Sequence, residues 1–307
     1  MVIKTRIWLL ALIPCRTSSH LGRRQILRTA TRSFSSSDTG AMSASRPTGT
    51  KQQQLEHAFG PGVLESVRRF WFQGLKDDDF VVPSSETMAR WFRKDEVFDA
   101  ACVAQFGTQL ETVRSTLPSA ADLLEAARPA SPLDWLSLLL LLDQIPRNAY
   151  RDAATGALPF RVFDPLALDI ARRALGDGLR VDRLAPVRYR LAYRFWFYLP
   201  LQHAEDRETQ EYSVRVHRAM VEDVTALMDA EEEDVEDEDA RACRAVLRAH
   251  RAGVEQVGKA LVGFATEHRD IVARFGRYPH RNQVLNRQAT EEEERYLAEG
   301  GQSFGRG

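Results

Sequence analysis

Residues 133–145 read LDWLSLLLLLDQI, and the reading of this stretch decides the fold. Apolar side chains stand on every side of a helix drawn through it. Such a helix has no polar face for solvent and belongs in the middle of a folded body. Thirteen residues are too few to cross a bilayer, which takes roughly 20. Pro146 follows directly and should end or kink the helix, because it lacks an N–H and its ring strikes the preceding turn.

Outward from that centre the apolar spacing stays helical. Leu64, Val67, Arg68 and Trp71 recur at three- and four-residue steps, flanked by Phe70 and Phe72. Met88, Trp91, Phe92, Phe98, Val103 and Phe106 continue past the Pro83-Ser84-Ser85 break, where a serine suits an N-cap. Residues 187–199 (VRYRLAYRFWFYL) form an aromatic-rich helix that Pro200 should stop. A further helix spans about Gln210 to Met228. Another spans Ala240 to Phe275, with breaks expected at Gly253, Gly258 or Gly263. Alternating runs with hairpin turns are almost absent. The class is all-α, in a single domain over residues 52–298. The large aromatics Trp71, Trp91, Trp135 and Trp196 are read as core.

Composition narrows the function. The 307 residues carry a net charge of −1, 28% charged and 44% hydrophobic, as in ordinary globular chains. That sum hides opposed segments. Residues 1–41 hold seven Lys/Arg and one Asp, and are rich in Ser and Thr, the signature of a mitochondrial transit peptide. Import to the matrix is the expected localisation, with a cytoplasmic form from Met42 as the alternative. A secretory signal around Ile7–Ile13 fits less well, because a basic stretch follows it. Residues 231–239 (EEEDVEDED) hold eight acids and no base. They read as a solvated loop, an insert over 229–240, and lack the alternation and Gly of a calcium loop. The tail 299–307 (EGGQSFGRG) reads as disordered. With the acids set aside the body is near neutral, so nucleic acid is not an expected partner. No membrane span is expected either. Cys15, Cys102 and Cys243 contain no CxxC pair and form no zinc or disulfide framework.

Four polar segments break the apolar rule: Asp143–Asn148 (DQIPRN), Leu201–Asp206 (LQHAED), Arg274–Asn282 (RFGRYPHRN, with His268 ahead of it) and Leu285–Thr290 (LNRQAT). Together with WF at 91–92 and KDEVFD at 94–99, they resemble the domain-of-unknown-function 924 family over roughly residues 60–298. The resemblance implies an all-helical, tetratricopeptide-like array of antiparallel helices with no established activity. Two positions depart from the pattern: His203-Ala204-Glu205 where His-Ser-Glu is usual, and Leu285-Asn286-Arg287 where Leu-Gly-Arg is usual. Asn at 286 is tolerable because it enters left-handed backbone more readily than most residues.

Each polar segment has a bland and a sharp reading. Asp143, Gln144, Arg147 and Asn148 tie off the end of the buried helix, or Arg147 clamps an anion. His203, Asp206 and Gln210 share a face if a helix restarts after Pro200, with Glu205 pointing elsewhere. That face makes a hydrogen-bond network, or holds a ligand, with His203 or His280 as general base. A metal would need His268 or His280 from another helix and is the weaker form; no metal is assigned. Arg274, Arg277, Arg281 and Arg287, with Asn282, need paired acids if buried, and Asp143, Glu205 and Asp206 are the candidates. Nothing in the chain names a cofactor.

Three functions follow. The first is a binding protein whose polar pocket takes an anionic small molecule or an acidic peptide, held by Arg147, Arg277, Arg281 and Arg287 and oriented by His203 and Asn282. The second is an enzyme, a hydrolase or lyase, in which His203 or His280 moves a proton while Arg277 and Arg281 stabilise an anion. The third is a structural protein that binds only other proteins. The first two require His203 within about one hydrogen-bond relay of the arginines.

Overall fold

Helices of very different length, many of them started by a polar side-chain cap, build the body. The computed structural model describes residues 49–235 and 237–304. The expected transit peptide over 1–41 lies outside the described residues, as do Glu236 of the acidic run and the last three residues of the tail. Thr50 caps α1 (Lys51–Ala58), with Gln53 completing a capping box. Then come α2 (Val63–Trp71), α3 (Asp77–Val81) and α4 (Ser85–Phe92), whose cap is Ser84, accepting from the Thr87 N–H at 3.1 Å. Asp95 caps the long α5 (Glu96–Thr116), and Ser119 caps α6 (Ala120–Ala127). Each cap satisfies a first-turn N–H that would otherwise lack a partner.

The apolar stretch forms α7 (Pro132–Leu139) and then widens into one π-helical turn, Leu140–Gln144, before α8 (Ile145–Ala149). Pro146 therefore does not end the helix, which continues through Ala149. The turn ahead of it takes one extra residue, with the Ile145 N–H bonding to Leu140 O, and this accommodates a residue that cannot donate. A second π turn, Pro159–Phe163, leads into α9 (Asp164–Leu175). Leu136 and Leu138–Leu142 are fully buried or nearly so, in agreement with a central helix.

The aromatic run departs from a single helix. It makes α10 (Leu191–Arg194), a 3-10 turn at Phe195–Phe197, and α11 (Leu199–His203). Pro200 begins α11 rather than stopping the run, because the first helical turn has no use for its missing N–H. Trp196 meets Trp71 and Trp91 edge to face at 5.3 and 5.2 Å, at the heart of the core. Next are α12 (Arg207–Asp229), α13 (Glu238–Ala249), α14 (Arg251–Phe275), α15 (Asn282–Leu285) and α16 (Glu291–Ala298). The break after α13 falls at His250, not at a glycine. Gly258 instead lets α12 and α14 approach, since a Cβ there would stand 3.1 Å from Val221.

The chain is thus all-α, with no strand among the described residues and no described helix long and apolar enough to cross a membrane. The acidic run is mostly exposed, but two of its members have structural work: Asp237 caps α13, and Asp239 takes a bidentate contact from Arg190 at 2.5 and 2.8 Å. Residues 299–304, expected to be disordered, turn back on α16 instead. Their amides find acceptors there, Gly301 at Tyr296 O (2.8 Å) and Gln302 at Tyr296 Oη (2.9 Å).

Candidate functional site

Both π turns open onto one place. The first carries Asp143 and Gln144, and the second delivers Phe160 and, at its end, Asp164. Between them α8 contributes Arg147, α11 ends on His203, and the 3-10 turn Pro279–Arg281 brings Arg281. Wide helical turns recur at functional sites because they re-aim side chains that regular α-geometry would direct elsewhere.

The geometry is tight. His203 Nδ1 lies 2.6 Å from Asp143 Oδ1, and Gln144 Nε2 donates to the other oxygen of Asp143 at 2.5 Å. Arg147 Nη2 bonds to Asp164 Oδ1 at 2.5 Å and reaches Asp143 at 3.4 Å. Arg281 donates to the His203 carbonyl at 2.9 Å and stands 3.8 Å from Asp164. Its guanidinium is sandwiched between Phe160 and Tyr278, at 4.6 and 4.4 Å from the ring centres, a cation–π arrangement that fixes its plane. The Nε atoms of Arg147 and Arg281 and Oδ2 of Asp164 are buried and make no hydrogen bond among the described residues. Neither does His203 Nε2. His203 and Arg147 reach solvent, with 15% and 22% of their side chains exposed.

Charge follows from burial. Burial alone would raise the Asp143 carboxyl, but His203 and Arg147 beside it outweigh that and hold it at about 2. Burial lowers the His203 imidazole, Arg147 lowers it further, and Asp143 only partly opposes them. At neutral pH the pair is a carboxylate and a neutral imidazole. The 2.6 Å contact assigns the proton to Nδ1, leaving Nε2 as an acceptor. Burial also lowers Arg281, while for Arg147 the two aspartates outweigh burial and raise it. Asp143, Asp164 and His203 present metal-type ligand atoms within 4.8 Å of one another. The Arg147 guanidinium already stands between the two carboxylates, so an added cation would have to displace it.

The remaining candidates divide from this centre. Glu205 and Arg287 form a bidentate pair at 2.5 and 3.0 Å, and Glu205 also accepts the Tyr278 N–H at 2.8 Å. Arg277 is clasped by Glu293 at 2.6 and 2.7 Å, with Asn282 donating to the same carboxylate at 3.1 Å. Arg274 pairs with Glu292. These residues lock α15, α16 and the Pro279–Arg281 turn together, and Arg277, Arg287 and Asn282 do not join His203 in one pocket. Asp206 is the N-cap of α12, accepting from the N–H and hydroxyl of Thr209. The chain leaves the helix at Ala204, so the shared face of His203, Asp206 and Gln210 does not form. Gln210 donates to the main-chain oxygens of Gln202 and Ala204 and to Tyr278 Oη. Asn148 ties the Gln144 carbonyl to Arg151. His268 is buried, bonded to Phe264 O at 2.7 Å, and burial holds it well below its ordinary value. His280 lies 5.5 Å from the Tyr278 ring and 6.0 Å from that of Phe304. Sequence reasoning missed Phe160, Asp164 and Tyr278; the Pro159 and Pro165 that bracket FRVFD were the available sign of an unusual turn.

Comparisons with known proteins agree with the helical architecture. The profile of a family described as bacterial protein of unknown function, domain of unknown function 924, matches residues 67–301. Among solved structures the chain is similar to a protein of unknown function from Agrobacterium tumefaciens. The two are 28% identical over 78% of this chain and 98% of that one, with a TM-score of 0.51. No curated protein matches.

Proposed function

The chain belongs to the domain-of-unknown-function 924 family, and on that footing we propose that it binds a small anion at the Asp143–His203–Arg281 centre and takes up a proton as it does so. The observation that carries the reading is the pair of buried guanidinium Nε groups, on Arg147 and Arg281, that make no hydrogen bond among the described residues. A buried donor left unpaired costs about 1–3 kcal/mol, and an anion or an ordered water removes that cost. Two carboxylates face two guanidinium groups, so the centre is balanced with His203 neutral. An entering anion then brings one negative charge too many, and His203 is the group able to answer it, with Asp143 holding the resulting imidazolium.

A second reading has one observation in its favour. Nδ1 of His203 is bound to a carboxylate while Nε2 makes no hydrogen bond among the described residues, the arrangement of an oriented general base. The binding site would then be the active site of a hydrolase or lyase acting on the same anion, with Arg281 fixed to stabilise charge.

The test is titration calorimetry of the full chain with phosphate, acetate and small dicarboxylates, in buffers of different ionisation enthalpy. An anion at 100 times its Kd should add about 2.7 kcal/mol of stability. Binding with uptake of close to one proton, lost in His203→Ala and Arg281→Ala, is expected. Stabilisation by none of the anions would show that the cluster is only an internal strut.

A further inference from the structure

The segment that follows α16 has a second role. Gly300 takes a left-handed backbone (φ +88), and its N–H bonds to Leu297 O at 3.1 Å. Gly301 then passes so close over Tyr296 that a Cβ would stand 2.5 Å from the Tyr296 carbonyl oxygen and strike its ring. Only glycine fits that approach. The doublet swings the chain back so that the Phe304 ring lies flat on His268, with centroids 3.6 Å apart and planes 16° apart. The same ring meets Tyr278 and His280 edge-on at 6.2 and 6.0 Å. Tyr278 in turn backs the Arg281 guanidinium at 4.4 Å. Phe304 therefore closes one side of the aromatic wall behind the polar centre.

The closure is lightly held. Phe304 packs with Phe275 and Tyr296 on a small cluster of Ile271, Val272 and Tyr278, separate from the main core. Few main-chain bonds and one ring stack place such a segment at the low-stability end of a fold.

We propose that residues 300–304 are a latch: Phe304 seated on His268 shuts the Tyr278 side of the anion centre, and its release admits the ligand there. The gating half of this proposal rests on the anion-binding reading above.

Two full-chain variants test it, Phe304→Ala, which removes the ring, and Gly301→Val, which keeps the ring but cannot make the turn. Circular dichroism checks that each is folded. The first readout is carbethoxylation of His268 by diethyl pyrocarbonate, located by mass spectrometry, and about tenfold faster reaction is expected in both variants. The second is phosphate and acetate affinity, expected about threefold tighter in both, since a closed latch lowers the binding-competent fraction. Unchanged His268 reactivity overturns the latch. Faster reaction with anion affinity equal to wild type overturns the gating while anion binding stands. No anion binding in any of the three proteins sinks the anion reading and the gating with it, whereas faster His268 reaction would still establish the cover.

Discussion

Asp143 Oδ1 lies 2.6 Å from His203 Nδ1, although 60 positions separate the two residues in the chain. The contact joins the wide turn after α7 to the end of α11, and among the described residues Arg147 is the one guanidinium within reach of that carboxylate. Removing it strands two buried groups at once. Asp143→Ala should cost about 3–5 kcal/mol in urea denaturation, as for other buried pairs broken from one side. Asp143→Asn, which keeps the shape and one acceptor, should cost less. A loss within experimental error for the alanine variant would contradict the described pairing.

Acid should destabilise the protein through buried histidines before it reaches the carboxylates. His217 is fully buried, bonded to Ser213 O at 2.8 Å, and burial lowers it to about 4 despite that bond. The unfolded chain therefore takes the proton at pH values where the folded one does not. The contribution is fully present above about 6.5 and is lost as pH falls to about 4, a span worth about 3 kcal/mol. His203 and His268 shift the same way and add to it. Asp143, held at about 2, acts only below the ordinary aspartate value. Urea midpoints between about pH 7 and about pH 4 should fall steeply in wild type and less in His217→Gln. Equal slopes would refute the assignment.

Asn286 ends α15 in the left-handed region at φ 55. Any side chain with a Cβ carries strain there, least for Asn and none for Gly. Asn286→Gly should be neutral or slightly stabilising, and Asn286→Ala should cost about 1 kcal/mol by thermal denaturation. A stabilising alanine would show that the turn relaxes.

Arg287 makes the pair with Glu205 and also donates to Tyr278 O at 3.1 Å and Asn282 Oδ1 at 3.1 Å. Lysine cannot reproduce a planar fork that serves three acceptors. Arg287→Lys should lose about 1–3 kcal/mol in spite of the retained charge, checked by chemical denaturation beside Arg287→Met. Lysine performing like arginine would mean that charge alone holds the Pro279–Arg281 turn.

The helical body was legible because three- and four-residue apolar steps run through most of the chain, and the cap at Ser84 is local chemistry. The wide turn at Leu140–Gln144 was not legible: a stretch apolar on all sides carries no phase, so nothing marks an extra residue. Asp206 was misplaced for a related reason. Helical spacing from His203 assumes an unbroken helix, and the exit at Ala204 turns the aspartate into a cap. Arg147, His203 and Arg281 stood out as polar groups in apolar surroundings. Asp164 did not, because its place beside two arginines arises from tertiary packing across 17 positions to Arg147 and far more to Arg281. The tail misled through its composition. Glycine-rich segments usually signal slack, yet Gly301 is where the backbone passes too close to Tyr296 for any other residue.

The two π turns make the centre unusually sensitive to chain length. Each spends one residue more than an α-turn, and a single residue is worth roughly 100° of rotation about a helix axis. Deleting one leucine from 140–142 would let an uninterrupted α-helix form, preserving composition and apolarity almost unchanged. The helices on either side would keep nearly their present phase, but the side chains carried by the turn, Asp143 and Gln144, would be re-aimed away from His203. Substitutions within the leucine run should thus be far better tolerated than the loss of any one of its members, and an insertion–deletion scan would find its sharpest intolerance where point mutagenesis finds little.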